Sequence, residues 1–233
     1  LSRFDLAFVP MHDEVPARPN VIQTVGALHA STNGDAAVAR ESLRQHPRFR
    51  ADCQVAEARP HITVLIGGDT PEHQVTASFV EALLRQVLAL CDEADAACLV
   101  TTSRRTLPDA ERIAAQYLDR HPRCRALVLA GRDPLEGTMA GLLAWASVVV
   151  VTGDSVSMMS EACASGQPVI IVEPPLRRTH AARGPKSSRF IQTLAQQGYA
   201  RRYLLPEVGL AIRRAVAEHR PAHPDRAFGL LGT

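Results

Sequence analysis

Short apolar runs alternate with amphipathic segments through most of the chain, and this alternation limits the possible folds more than any other feature. The runs are rich in Val and Ile and lack the polar alternation of half-exposed strands, as expected of strands buried on both faces. They cover residues 62–66, 97–102, 125–130, 148–152 and 169–172. The helical patterns cover residues 74–90, 109–120, 138–146, 155–165, 186–197 and 206–219. The sequence therefore predicts an α/β fold, a Rossmann-like parallel sheet with flanking helices.

The chain divides into three parts by composition. The Rossmann-like domain is predicted over residues 59–219, from Arg59-Pro60 onward. Residues 1–58 hold two brief strand candidates, 5–9 and 20–25, and a polar segment, 30–58, that we interpret as a linker. This is too little for an independent core, so we expect a remnant of a preceding domain. The Pro-containing polar segment 220–233 is predicted to be a tail.

Composition excludes several classes of function. A formal net charge of +2 is too small to predict nucleic-acid binding by bulk electrostatics. The five cysteines are scattered without C-x-x-C spacing, which argues against a disulfide framework or zinc site and favours a reducing compartment. No apolar run reaches the ~18 residues of a membrane span. We therefore predict a cytoplasmic location and no metal or cofactor.

A turn of small, hydroxyl-bearing residues follows the fourth strand of the predicted sheet. In parallel sheets, ligands bind beyond the carboxyl ends of the strands. The amides from Ser155 to Met158 open a helix here, and its dipole favours an anion. Glu161 lies too deep in that helix to serve the dipole alone, and its carboxylate can accept hydrogen bonds from a ribose; the alternative is a solvent-facing glutamate. The other candidate ligand contacts in this motif are Thr152, Asp154 and Ser157.

Two other strand ends carry candidate binding residues. Gly67 and Gly68 follow the first strand of the domain, where the amides after them can hold a phosphate at the next helix. The alternative is a plain turn with Asp69 or Thr70 as the helix cap. After the second strand, the run Ser103-Arg104-Arg105-Thr106 suits an anionic group or, equally, forms a solvated arginine pair.

Two arrangements resemble catalytic groups. Gly153-Asp154-Ser155 invites comparison with a serine hydrolase, but no Asp-x-x-His follows it and no Gly-x-Ser-x-Gly elbow is present. His12 and Asp13, after the first strand candidate, can act as a general base with its orienting acid. The alternative for this pair is a turn, since adjacent residues rarely orient one another well.

Taken together, several segments resemble the mitochondrial fission ELM-type family, found in bacteria and plants. They are FDLAFVPMHDE, NVIQTVGALH, ITVLIGGD, LVTTSRRT, GLLAWASVVVVTGDSVSMMSEACASGQPV and KSSRFIQTLAQQGYARRY. The family is related to glycosyltransferases of the GT-B fold, which have two Rossmann-like halves and a cleft between them. The resemblance implies that this chain is mainly the carboxyl-terminal half.

The resemblance also implies roles for the candidate residues. Gly67 and Gly68 fall on a glycine pair near the cleft, the helix start from Ser155 to Met158 falls on a diphosphate cradle, and Glu161 falls on the acid that grips the ribose. The expected ligand is a nucleotide-diphosphate sugar, bound without a metal. Arg104 and Arg105 then stabilise the leaving group, and His12 or Asp13 activates the acceptor. The resemblance to the plant member implies the alternative, a non-enzymatic adaptor with a protein partner or a membrane-peripheral position. The composition favours a bacterial origin.

Overall fold

The computed structural model describes residues 1, 3–27, 36–132, 137–177 and 186–218, without the side chains of His12 and Lys186. Its strands are β1 (Ala7–Pro10), β2 (Val21–Thr24), β3 (His61–Ile66), β4 (Ala97–Thr102), β5 (Cys124–Val128), β6 (Val148–Thr152), β7 (Val169–Val172) and β8 (Arg201–Tyr203). Its helices are α1 (Ala36–Arg44), α2 (Ala77–Glu93), α3 (Pro108–Leu118), α4 (Thr138–Trp145), α5 (Val156–Ala164), α6 (Lys186–Gln196) and α7 (Val208–Ala217). Short 3-10 helices cover Met11–Asp13 and Leu205–Glu207.

The main sheet confirms the predicted α/β class. Its six strands run parallel in the order β5-β4-β3-β6-β7-β8. The order reverses between β3 and β6, so the crossovers leaving these two strands go in opposite directions along the sheet. This order is that of the doubly wound dinucleotide-binding folds, and it places a crevice at the carboxyl ends of β3 and β6.

Two helical layers cover the sheet because successive strand residues point to opposite faces. Ile62, Val64 and Ile66 of β3 pack with α2, α3 and α7. Leu65 packs with α5 and α6 on the other face. Both faces are apolar and buried, which explains why the strands read as continuous Val and Ile runs.

The segment predicted as a linker, residues 30–58, contains helix α1 where no helix was predicted. Leu43 of α1 is buried against Trp145 of α4. Gly141 lets the two helices approach closely, since a Cβ built there would lie 2.7 Å from the Leu43 Cβ. Phe49 continues the contact, with its ring centroid 5.0 Å from that of Trp145. The segment is therefore packed onto the domain over its described part.

Residues 7–24 form a separate two-stranded sheet in which β1 and β2 pair in parallel. Phe8 and Ile22 are directly opposite in the register, and both are exposed. Beyond β2 the chain returns to the main domain, where Val25 is buried with the α5 and α6 layer.

Several predicted bounds moved by a few residues, each for a local reason. Helix α2 begins at Ala77 because the Thr76 side chain accepts a hydrogen bond from the Phe79 amide. The last helix starts later than predicted, since a 3-10 turn precedes Val208. Strand β8 was not predicted, and the tail 220–233 lies outside the described residues. Within the described part of the chain, no helix has the length and apolar character needed to cross a bilayer.

Candidate functional site

The carboxyl ends of β3, β4 and β6 bring most of the predicted binding residues together. Asp154 lies at the centre, two residues after the end of β6, and its side chain is 0% exposed. Its carboxylate accepts hydrogen bonds from the Thr152 hydroxyl (2.6 Å) and from the Gly68 amide (2.9 Å). The Gly67 amide donates to Thr152 Oγ1 at 2.7 Å. The two loops at the crevice are therefore tied to each other.

The glycine pair is required by this arrangement. A Cβ at Gly67 would lie 2.1 Å from an Asp154 carboxylate oxygen, and one at Gly68 would lie 2.1 Å from the Arg105 carbonyl group. Both positions must lack a side chain so that the carboxylate and the neighbouring loop can approach. The anion that lies next to the glycines in the structure is the protein's own Asp154.

The amides after the glycines are also used inside the protein. The Thr70 amide donates to the His73 carbonyl (3.1 Å), and the Val75 amide donates to Asp69 Oδ1 (2.9 Å). Helix α2 begins only at Ala77 and is capped by Thr76, not by Asp69 or Thr70. The loop therefore has no helix start next to its glycines at which a phosphate would bind.

This loop is joined to the one after β7. The Gln74 amide donates to the Pro175 carbonyl, and the Arg177 amide to the Glu72 carbonyl, each at 2.9 Å. Arg177 also forms an ion pair with Asp69. Because β6 lies between β3 and β7 in the sheet, the joined loops cross the end of β6.

His73 lies in this crossing and is 1% exposed. Neither of its ring nitrogens has a hydrogen-bond partner. Burial lowers the pKa of His73, against the opposing charges of Asp154, Glu72 and Glu173. Burial has the opposite effect on Asp154, raising the pKa of its carboxyl group, while the hydrogen bonds from Thr152 and Gly68 and the charge of Arg105 oppose that rise.

The loop after β4 supplies the positive charge of the site. Its shape is set by Thr106 Oγ1, which accepts from the Ser103 amide at 2.9 Å and donates to the Gly67 carbonyl. Ser103 Oγ in turn accepts from the Arg105 amide at 3.1 Å. The Arg105 guanidinium lies 3.5 Å from Asp154 Oδ2 and remains 46% exposed. Arg104 is exposed beside it.

Helix α5 begins at this edge with a conventional cap. The Ser155 hydroxyl accepts from the Met158 amide at 3.5 Å, which makes Ser155 the N-cap. Ser155 and Met158 are buried, Val156 is half-buried and Ser157 is exposed. The helix itself offers no acceptor to the amides of Val156 and Ser157, which lie before its first internal hydrogen bond. A buried capping serine has no adjacent base in this motif, which weakens the hydrolase interpretation.

Glu161 lies on α5 and is half-buried. Its neighbour Ser160 accepts a hydrogen bond from the Ala27 amide at 3.0 Å and donates one to the Val156 carbonyl at 2.8 Å. The segment after β2 therefore contacts α5 at Ser160, the residue before Glu161. This contact brings the amino-terminal part of the chain to the same helix as the predicted ribose-binding acid.

The predicted catalytic pair lies on a short 3-10 helix beside α6. His12 and Asp13 belong to the 3-10 helix Met11–Asp13, which packs on α6. Glu14 follows with a left-handed φ of 50° and forms a 2.8 Å ion pair with Arg189 of α6. Asp13 is exposed, and the His12 side chain lies outside the described residues.

Sequence reasoning missed two residues of this edge, His73 and Arg177, and gave two others, Asp69 and Thr106, different roles. Asp69 was considered only as a helix cap. Thr106 was considered as part of an anion-binding run, whereas its hydroxyl bonds Ser103 and Gly67. One available signal was the position of Asp69 directly after the glycines.

The fold and this polar edge define the class of the protein: a Rossmann-like α/β chain of the GT-B type. It superposes on the S. aureus MnaA–UDP co-structure with a TM-score of 0.55 and 14% identity, over 94% of this chain and 52% of that one. UDP-GlcNAc 2-epimerase from Neisseria meningitidis, bound to UDP-GlcNAc, matches with a TM-score of 0.46 and 14% identity, over 89% of this chain and 58% of that one.

The chain belongs to the mitochondrial fission ELM1 family, whose model matches residues 1–221. The mitochondrial fission protein ELM1 of Arabidopsis thaliana is 29% identical over 197 residues. That match takes in 74% of this chain but 43% of the plant protein, so the chain spans less than half of this relative's length. The resemblance predicted from the sequence is confirmed.

Proposed function

We propose that this chain binds a nucleotide-diphosphate sugar at the carboxyl edge of its main sheet, as a metal-independent, glycosyltransferase-like protein. The observation that carries the proposal is the start of α5 at the topological switch point, with the half-exposed Arg105 beside it. Anions bind at such helix starts because free amides and the helix dipole both attract negative charge.

The proposed chemistry needs charge stabilisation and little else. A departing nucleoside diphosphate is stabilised by the amides of Val156 and Ser157 and by the Arg105 guanidinium, which replace a metal ion. Glu161, further along α5, accepts hydrogen bonds from the ribose hydroxyls. His12 or Asp13 removes the proton of an acceptor hydroxyl. The MnaA structure named above includes UDP, which supports a uridine nucleotide as the first ligand to test.

Thermal unfolding with a panel of UDP, GDP, ADP and CMP ligands tests the proposal. A ligand at a hundred times its dissociation constant stabilises the folded state by about 2.7 kcal/mol, so one member should raise the melting temperature by several degrees. Glu161→Ala should abolish the rise. Glu93→Ala, at the opposite end of the sheet on α2, should preserve it. If no ligand of the panel shifts the transition, the proposal is wrong.

A second candidate function, a non-enzymatic adaptor, is favoured by a different observation. Large apolar side chains are exposed within the first 22 residues, including Phe4 at 62%. The others are Leu1, Leu6, Phe8 and Ile22. Large apolar side chains exposed together in one short part of a chain are typical of a protein contact when they form one patch.

A pull-down with the intact chain separates the two functions. Partner binding that survives Gly67→Ala, Arg105→Ala and Glu161→Ala but is lost in a Phe4→Ser, Phe8→Ser variant supports the adaptor.

The same exposed surface also supports our proposal that residues 1–58 include the end of a preceding GT-B-like domain, because a two-stranded parallel sheet is rarely stable without further cover. Limited proteolysis of a longer polypeptide should then leave β1 and β2 protected.

A further inference from the structure

We propose that Asp154 is a positioning residue, the internal counter-ion that holds Arg105 at the rim of the site until a ligand diphosphate takes over that guanidinium. The inference rests on the proposed function for its ligand. It assigns to Asp154 a role other than the direct ligand contact predicted from the sequence, because the side chain is 0% exposed.

Asp154 occupies the position that an anion would take in a glycine loop. Its carboxylate accepts from the Gly68 amide at 2.9 Å and from the Thr152 hydroxyl at 2.6 Å. Gly67 has no side chain, and a Cβ there would overlap the carboxylate at 2.1 Å. A buried carboxylate with these contacts is fixed in place, since losing any partner would leave a desolvated charge.

Arg105 has the opposite character. One of its terminal nitrogens lies 3.5 Å from Asp154 Oδ2, and the other donates to the Asp69 carbonyl at 3.4 Å. These are long contacts for charged groups, and the side chain is 46% exposed. A guanidinium has five N–H donors. Arg105 therefore keeps donors for a phosphate while Asp154 fixes its position.

The charges predict how variants differ. The Asp154 carboxylate opposes an incoming diphosphate, and Arg105 offsets it. Asp154→Asn removes the opposing charge but keeps the shape and an oxygen for the Gly68 amide, so it should bind UDP about three- to tenfold more tightly. Asp154→Ala removes the bond to the Gly68 amide. The neighbouring Gly67 carbonyl accepts from Thr106 in the Arg105 loop, so Arg105 should lose its position and UDP should bind about tenfold more weakly. A residue with a merely structural role would weaken binding in both variants.

The first experiment needs no nucleotide. Phenylglyoxal modifies accessible arginines, and mass spectrometry of peptides reports the rate for each arginine separately. Loss of its counter-ion should speed modification of Arg105 at least threefold in both Asp154 variants. Arg104, its exposed neighbour, should react at the same rate in all three proteins and serves as the control. Unchanged Arg105 reactivity in both variants would overturn the inference.

The second experiment is calorimetric titration of UDP into the wild type and the Asp154 variants, each with and without Arg105→Ala. The inference predicts opposite shifts for Asp154→Asn and Asp154→Ala, and loss of the Asp154→Ala penalty once Arg105 is absent. Equal weakening in both variants would overturn it. If the wild type binds no nucleotide while Arg105 reactivity rises as predicted, the proposed function fails and the counter-ion pairing stands.

Discussion

The two ends of the main sheet are closed in different ways. At the amino end, the aromatic ring of Trp145 packs on Phe49 and on His61, with both centroid distances at 5.0 Å. The Arg40 guanidinium covers it at 3.8 Å. At the carboxyl end, glycines, hydroxyls and one carboxylate join three loops by hydrogen bonds. Large aromatic and basic side chains cover the first end. The second is built from small residues, and Ser157 at the start of α5 is exposed there.

The largest effect is expected at the amino end. Trp145→Ala should lower the free energy of unfolding by about 3–5 kcal/mol, because it leaves a cavity between α1, α4 and the sheet. Urea denaturation followed by circular dichroism measures this without tryptophan fluorescence. Leu204→Ala, at a position 59% exposed, should change stability by less than about 0.5 kcal/mol. A loss in Trp145→Ala as small as that in Leu204→Ala would show that the packing around Trp145 contributes little to stability.

Lowering the pH should decrease the free energy of unfolding through His61, at the amino end of the sheet. Burial, followed by the charges of Arg125 and Arg40, lowers the pKa of His61 from 6.5 to about 3. His61 takes up a proton near pH 6.5 in the unfolded chain but not in the folded one. The contribution of neutral His61 to the free energy of unfolding is therefore complete above about pH 6.5 and is lost as the pH falls toward 3. At about 1.36 kcal/mol per pKa unit, the loss approaches roughly 3 kcal/mol at pH 4.

Comparison with His61→Gln separates the proton-linked loss of stability at His61 from the other effects of pH. The difference in unfolding free energy between wild type and variant should shrink steadily from pH 7 to pH 4, because only the wild type has this proton-linked loss. Parallel pH profiles for the two proteins would contradict the assignment. The measurement is urea denaturation at several fixed pH values.

At the carboxyl end, Gly68→Ala should cost about 1–3 kcal/mol of stability. The added methyl would lie 2.1 Å from the Arg105 carbonyl group, and backbone atoms there cannot move without shifting the whole loop. Gly209→Ala on α7 is the control, since its nearest neighbour would be an ordinary 3.4 Å away. Gly209→Ala should stabilise the helix by about 0.5–1 kcal/mol. Equal changes in the free energy of unfolding for the two variants would contradict the steric explanation.

The smallest effect belongs to the cap of α5. Ser155→Ala removes the acceptor of the Met158 amide and should lower stability by about 1 kcal/mol. Ser157, two residues further along the chain, is exposed, so Ser157→Ala should leave stability nearly unchanged. Thermal denaturation of the two variants side by side checks this difference, and a neutral Ser155→Ala would show that the cap contributes nothing.

The sequence predicted the sheet well because its signal is local. Strands β4, β6 and β7 match their predicted bounds, since buried parallel strands are continuous apolar runs. Helix α1 gave no such signal. Val38 is exposed and Leu43 is its buried large residue. Long-range packing of Leu43 on Trp145 holds the helix in place.

The site was predictable only in part. The turn after β6 and the helix behind it lie where the sequence predicted them, because small polar residues after a buried apolar run indicate the end of a strand. The sequence did not predict the hydrogen-bond partner of the Gly68 amide, because Asp154 lies 86 residues further along the chain. A carboxylate and a phosphate satisfy the same amide with the same hydrogen bond, so no local pattern distinguishes an internal anion from a bound one.

Amide chemical shifts measured by NMR during a UDP titration test the central claim most directly. The account predicts that the amides of Val156 and Ser157 show the largest changes, and that those of Gly67 and Gly68, which already bond Thr152 and Asp154, move little. If UDP leaves the start of α5 unchanged, or shifts the two glycines instead, the account is contradicted.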